Sequence, residues 1–206
     1  MKQYSYRKSD GEFDYERYKE IQTAGNKRKL GAQWVREHEI EFISSHLTKL
    51  GAQPKFAICH GTRRGNEQTW FRKYLSCEVI GTEISDTADQ FPYTIQWDFH
   101  DVKPEWLDRC DFIYSNSWDH SYDPIKLFSA WMSCVKVGGY LVLEHSEVHV
   151  DISQLDPLGM SLDELLYLLV HDLGKGNWRN AAVIEGLPKK INNPVIGKYI
   201  FLIRDR

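Results

Sequence analysis

The chain has 206 residues, 42% of them hydrophobic and 13% aromatic, with a formal net charge of -3. That length supports one well-buried core with an extension, and the near-neutral balance lacks the global basic field of a non-specific nucleic-acid binder. Cys59, Cys77, Cys110 and Cys134 are widely spaced with no CxxC pair, which suits reduced core thiols, and no signal core or bilayer-length apolar run is present, so a cytoplasmic protein without membrane contact is expected.

Residues 1 to about 30 are polar and rich in tyrosine, with Tyr15, Tyr18 and Ile21 at helical spacing and a basic cluster from Lys27 to Lys29. From Gln33 to Leu50 the apolar positions Trp34, Val35, Ile40, Phe42, Ile43, Leu47 and Leu50 predict an amphipathic helix that Gly51 and Pro54 end. Residues 1–53 are therefore expected as a helical extension, a candidate lid, and 54–206 as the main α/β domain. Five short apolar runs follow, at 55–60, 77–82, 93–97, 111–115 and 138–144, with connections such as 66–76 and 124–135 long enough for crossover helices. That alternation predicts a doubly wound, mostly parallel, Rossmann-like sheet. Ser161-Leu-Asp-Glu164 forms a capping box that opens a helix over Leu162 to Val170, closed by Gly174. The stretches 178–186 and 195–204, separated by the turn-rich segment 187–194, predict a terminal antiparallel hairpin.

In an open α/β sheet, ligands collect beyond the carboxyl ends of the strands. There the chain carries Cys59-His-Gly61-Thr-Arg-Arg-Gly65 and, about twenty residues on, Gly81-Thr-Glu83-Ile84. Glycines let a loop approach a ligand closely, and a lone carboxylate ending the next strand can accept both hydroxyls of a ribose diol. Either feature alone is as often an ordinary turn or a solvated charge. In this order and spacing they predict a nucleoside-containing cofactor.

With Trp97-Asp98-Phe99-His100, Asp111-Phe-Ile-Tyr-Ser115-Asn116-Ser-Trp118-Asp-His120 and Val135-Lys-Val-Gly-Gly139-Tyr-Leu-Val-Leu, this series resembles the class I S-adenosylmethionine-dependent methyltransferases over roughly residues 55–146. Ser115 to Pro124 is similar to their small-molecule branch, often called type 11. The resemblance implies a seven-stranded sheet in methyltransferase order, S-adenosylmethionine as cofactor and a small-molecule acceptor. It implies that Gly61, Thr62, Arg63 and Gly65 surround the methionine portion, Glu83 holds the ribose, Ile84, Asp98 and Phe99 flank the adenine, and Ser115, Asn116 and Trp118 line the floor and wall. The family's first motif has an acid where Cys59 stands and a glycine where Arg63 stands. Arg63 or Arg64 is a candidate substitute partner for the cofactor's carboxylate, against the plain reading of two solvated arginines.

Methyl transfer needs alignment, exclusion of water and, for an OH or NH nucleophile, a proton acceptor. Trp118 and Tyr122 are candidate aromatic walls. His120 and His145, each following a strand, are the candidate bases, against the plain reading of two rim histidines. His145, Glu147 and His149 would share one face of a continuing strand, but a third ligand of such sites usually comes from farther along the chain, so no metal is expected. Two other readings stay open. A nicotinamide-dependent oxidoreductase would share Glu83 yet carry a fuller GxGxxG fingerprint, and a binding module could keep the fold without turnover.

Overall fold

The structure, a computed structural model, describes residues 1–188 and 196–206. In chain order it contains β1 (Lys2–Gln3), α1 (Tyr15–Arg28), α2 (Glu37–Lys49), β2 (Phe56–His60), α3 (Asn66–Leu75), β3 (Glu78–Glu83), β4 (Thr94–Gln96), β5 (Cys110–Ser115), α4 (Pro124–Cys134), β6 (Val135–His145), β7 (Leu158–Gly159), α5 (Leu162–Leu166), β8 (Trp178–Pro188) and β9 (Ile196–Arg204). Seven strands form one sheet in the order β4-β3-β2-β5-β6-β9-β8, while β1 and β7 pair separately. Strands β4 to β6 run parallel along the sheet, and β9 is antiparallel to both β6 and β8. The chain winds outward from β2 through β3 to β4, then returns to lay β5 on the other side of β2. That reversal opens a crevice above the carboxyl ends of β2, β3 and β5.

Both faces of the sheet are covered, as its β-rich apolar runs require. One core packs Trp118, Phe128, Trp131 and Leu165 against Ile58, Ile113 and Leu141. The other packs Ile40, Ile43 and Leu47 of α2 and Phe71 of α3 against Phe112, Tyr114, Val142 and Phe201. All four cysteines are free and buried. No helix among the described residues is long and apolar enough to cross a membrane.

Several boundaries differ from the sequence expectation. Helix α2 begins at Glu37 rather than Gln33, because Glu39 Oε2 accepts from the Arg36 backbone N–H at 2.8 Å and closes the first turn there. Strand β6 starts at Val135, three residues early, and its register against β5 shifts between Cys110 and Phe112, so the Gly138-Gly139 pair sits at a bulge rather than in a free turn. The Ser161/Glu164 capping box is present, yet α5 is α-helical only to Leu166 and continues as a π-helix from Tyr167 to Leu173. The segment connecting β8 to β9 lies mostly outside the described residues.

Candidate functional site

At the end of β2 the chain must turn away from the sheet, and Gly61 makes that turn at φ +73°. A Cβ there would stand 2.7 Å from Ser117 Cβ, so only glycine lets the loops after β2 and β5 approach this closely. His60, just before it, is a core group: Nδ1 lies 2.7 Å from Thr82 Oγ1, the ring stacks on Trp131 at 4.7 Å, and burial lowers its pKa to about 3.

Glu83 ends β3 and is 7% exposed. Its Oε2 accepts from the Arg63 backbone N–H at 3.0 Å and its Oε1 from the Ser85 N–H at 3.2 Å. The acid therefore faces the bend after β2. Each oxygen keeps a lone pair for a further donor. Burial raises the Glu83 carboxyl pKa above the ordinary value, against the opposing pull of those two amides and the Arg63 charge.

Glu83 and Ile84 border a narrow crevice whose other walls include Gly61, Arg63, Phe99 and His120. Thr62 and Asn116 line an adjoining, roomier space that shares Gly61, Arg63 and His120 with the first. Nine of the thirteen expected site residues thus converge on one connected hollow: Gly61, Thr62, Arg63, Glu83, Ile84, Phe99, Asn116 and His120 line it, and Ser115 supports it from beneath. Ser115 is fully buried, donates to His60 O at 3.1 Å and accepts from the Ser117 N–H at 3.0 Å, which leaves Ser117 as the lining residue.

Four expected residues line neither of these two spaces, although Asp98 borders a third that shares Ile84 and Trp97 with the first crevice. Gly65 caps α3 and packs toward Thr94 and Pro92, beside β4. Asp98 is taken up by other partners, accepting from Tyr15 Oη at 2.7 Å, from the His100 N–H at 2.9 Å and pairing with His100 Nδ1 at 2.7 Å. Burial works to raise its carboxyl, but the bonds from His100 and Tyr15 outweigh it and hold it below the ordinary value. Trp118 is wholly buried and donates its indole N–H to Glu144 O at 2.8 Å, so it is a core residue rather than a crevice wall. His145 stacks on Trp118 and donates from Nε2 to Met160 O at 2.9 Å, which turns it away from both spaces, and burial lowers its pKa. The strand ends there and turns into a 3₁₀ segment over Glu147–Val150, so His145, Glu147 and His149 share no strand face.

Arg63 also departs from expectation. Its guanidinium donates to Ala32 O at 3.1 Å and Lys29 O at 3.5 Å, which ties the chain after α1 to the rim. Arg64 remains among the lining residues of the second space. Tyr122, the other expected wall, joins Phe13, Tyr18 and His100 in an aromatic cluster beneath α1.

Sequence reasoning missed most of what α1 brings. Tyr18, Gln22, Gly25 and Asn26 form one wall of the first crevice, which Trp97 and Leu155 also line, Leu155 packed directly against Gly25. The signal for Trp97 was present, since β4 is only three residues long and an aromatic directly follows its last residue. For Gln22, which donates to Leu155 O at 3.0 Å, no local signal exists.

No protein-family model and no curated protein matches the sequence. The structure is similar to the 1,6-didemethyltoxoflavin-N1-methyltransferase of Burkholderia thailandensis, solved with 1,6-didemethyltoxoflavin and S-adenosylhomocysteine, at a TM-score of 0.70 and 10% identity over 94% of this chain and 91% of that one. The chain has the methyltransferase fold. Solved structures with this methyltransferase fold also include an S-adenosylmethionine-dependent methyltransferase of Clostridium acetobutylicum (TM-score 0.61, 11% identity, 89% of this chain and 98% of that one). A third is the geranyl diphosphate C-methyltransferase of Streptomyces coelicolor (TM-score 0.56, 12% identity, 80% of this chain and 77% of that one).

Proposed function

We propose that the chain binds S-adenosylmethionine in the first crevice and transfers its methyl group to a small-molecule acceptor in the second. The observation that carries this reading is Glu83, a buried carboxylate at a strand end that lines the hollow, held by the Arg63 and Ser85 amides with acceptor capacity left on each oxygen. A vicinal diol presents two O–H donors at the spacing of one carboxylate. Ile84 and Phe99 offer apolar and aromatic surface for a purine, and Gly61, Thr62 and Arg63 border the path from there to the second space.

When bound, the cofactor supplies an activated methyl on a sulfonium. The chain's own residues then act by position. Glu83 anchors one end, α1 closes over the crevice to exclude water, and Asn116 and His120 border the acceptor beside the shared wall between the two spaces. We assign His120 rather than His145 to acceptor handling, because only His120 reaches the hollow.

A nicotinamide cofactor is disfavoured by the turn after β2. Arg63 occupies it at φ +44°, where a diphosphate needs a glycine-lined approach to the backbone. Calorimetry with S-adenosylhomocysteine, S-adenosylmethionine, NAD and NADP tests the reading. We expect binding of the first two alone, and for Glu83→Ala a loss of about 100-fold in affinity, the equivalent of about 3 kcal/mol from two charge-assisted bonds. Binding of a nicotinamide cofactor alone, or unchanged affinity in Glu83→Ala, would overturn it. Cofactor binding without turnover on any acceptor would favour a binding module.

A further inference from the structure

Asp119, His120 and Asp156 converge on the second space, with one potential ligand atom from each within 4.8 Å of the others. The hydrogen-bond chain orients the imidazole. Gln22 Nε2 donates to Leu155 O, which leaves Gln22 Oε1 as an acceptor 2.8 Å from His120 Nδ1. Nδ1 therefore carries the hydrogen, and in the neutral ring Nε2 is a bare lone pair. That lone pair faces Asp156 Oδ1 at 3.5 Å. The repulsion of two such acceptors is relieved either by a proton on Nε2 or by a cation between them.

The surroundings hold this arrangement. Asp156 Oδ2 accepts from Ser153 Oγ at 2.9 Å, which orients the carboxylate. Asp119 is 7% exposed, and its Oδ1 is buried with no hydrogen-bond partner. A buried carboxylate oxygen without a donor is costly, and at Asp119, which borders the second space beside His120 and Asp156, a bound cation would relieve that cost. Among the described residues no lysine or arginine forms an ion pair with Asp119 or Asp156; the charge of Lys29 reaches Asp119 only as a field.

We propose that Asp119, His120 and Asp156 form a divalent-cation site of the Mn2+ type that opens onto the acceptor space, an inference that rests on the assignment of that space above. One imidazole nitrogen and two carboxylate oxygens suit a borderline cation and leave its remaining positions to water or substrate. Ligand atoms in an octahedral sphere lie about 3 Å apart, so each side chain moves inward by less than about an ångström on binding. The open positions would hold an anionic oxygen of the acceptor beside the methyl group. Gln22 serves as the partner that fixes the histidine tautomer, as outer hydrogen bonds commonly do for metal-bound imidazoles.

The test is calorimetric titration of the full chain with MnCl2 after chelator treatment, with S-adenosylhomocysteine titrated in parallel. One Mn2+ per chain is expected. Asp119→Asn and Asp156→Asn should each weaken it at least about tenfold while S-adenosylhomocysteine binding persists. Pulsed electron paramagnetic resonance of Mn2+ on the unaltered protein should show coupling to a single imidazole nitrogen, which removes any dependence on how the variants fold. Saturable S-adenosylhomocysteine binding without saturable Mn2+ binding, or undiminished Mn2+ affinity in the double variant, would overturn the site. So would a His120 ring that takes up a proton at neutral pH and ignores Mn2+, since the proton would then fill the gap. Mn2+ binding without S-adenosylhomocysteine binding would uphold the site and instead sink the methyltransferase reading.

Discussion

At the scale of single residues, Trp118 separates two roles that one side chain can play after a strand. Its ring packs against those of both His145 and His149, which also touch each other, and its N–H is bonded to Glu144 O. Removing so large a buried group leaves a cavity and an unpaired carbonyl. Trp118→Ala should therefore lower the unfolding free energy by about 3–5 kcal/mol in urea titrations. The folded fraction should keep wild-type affinity for S-adenosylhomocysteine by calorimetry. A variant of near-normal stability that no longer binds would return Trp118 to the crevice wall. Sequence could not decide this, because an aromatic following β5 meets core and cleft within one residue of each other: Ser117 lines the hollow and Trp118 does not.

At the scale of elements, the strands were legible because their apolar runs are short, β-rich and spaced by turn chemistry, and their ends then located Gly61, Glu83 and Asn116 by rule. Helix α1 was legible only as a helix. What it covers depends on contacts across large sequence separations: Tyr15 to Asp98, Tyr18 to the carbonyl of His120, and Gln22 to that of Leu155. The bond that Tyr15 makes to Asp98 was illegible for the same reason, since the two lie 83 residues apart. We regard α1 as a lid, and Gly25 is the place to test it. A Cβ there would meet Leu155 Cδ2 at 2.3 Å, the movable end of a side chain. Gly25→Ala should be close to neutral, because a helix-propensity gain of about 1 kcal/mol offsets the displacement of Leu155. Gly25→Phe should instead push α1 off the 153–156 loop, speed hydrogen exchange over 15–28 and weaken S-adenosylhomocysteine binding. Wild-type exchange and affinity in Gly25→Phe would argue against a lid.

At the scale of the whole molecule, two buried groups give stability opposite slopes in pH. Glu67 at the start of α3 has a buried Oε2 without a partner, and burial raises its pKa to about 7. Its unfolded value is about 4.3, so between those limits the folded state holds the extra proton and stability falls as pH rises. The penalty is absent below pH ~4 and complete above pH ~8, at about 4 kcal/mol. His60 acts the other way. Its pKa is lowered to about 3, so the unfolded chain takes up the proton first, and stability is lost as pH falls from about 6.5 toward that value. Glu67→Gln should thus stabilise the protein at pH 8 and change little at pH 4.5, read by urea unfolding at both. Equal gains at the two pH values would mean that Glu67 is not a proton-linked group. Neither group could be identified from the sequence, because burial of a carboxylate at a helix start depends on the packing of that helix against the sheet.

The antiparallel return of β9 makes β8 the outermost border of the sheet, eleven residues long. Its pairing with β9 slips between Asn180 and Ala182 and again between Glu185 and Pro188. Each slip bends the outer row of amides and carbonyls out of line, so a foreign peptide that begins to zip onto this margin loses register within a few residues. The same irregularities that look like flaws in the hairpin therefore guard the molecule against fibrous self-association at high concentration.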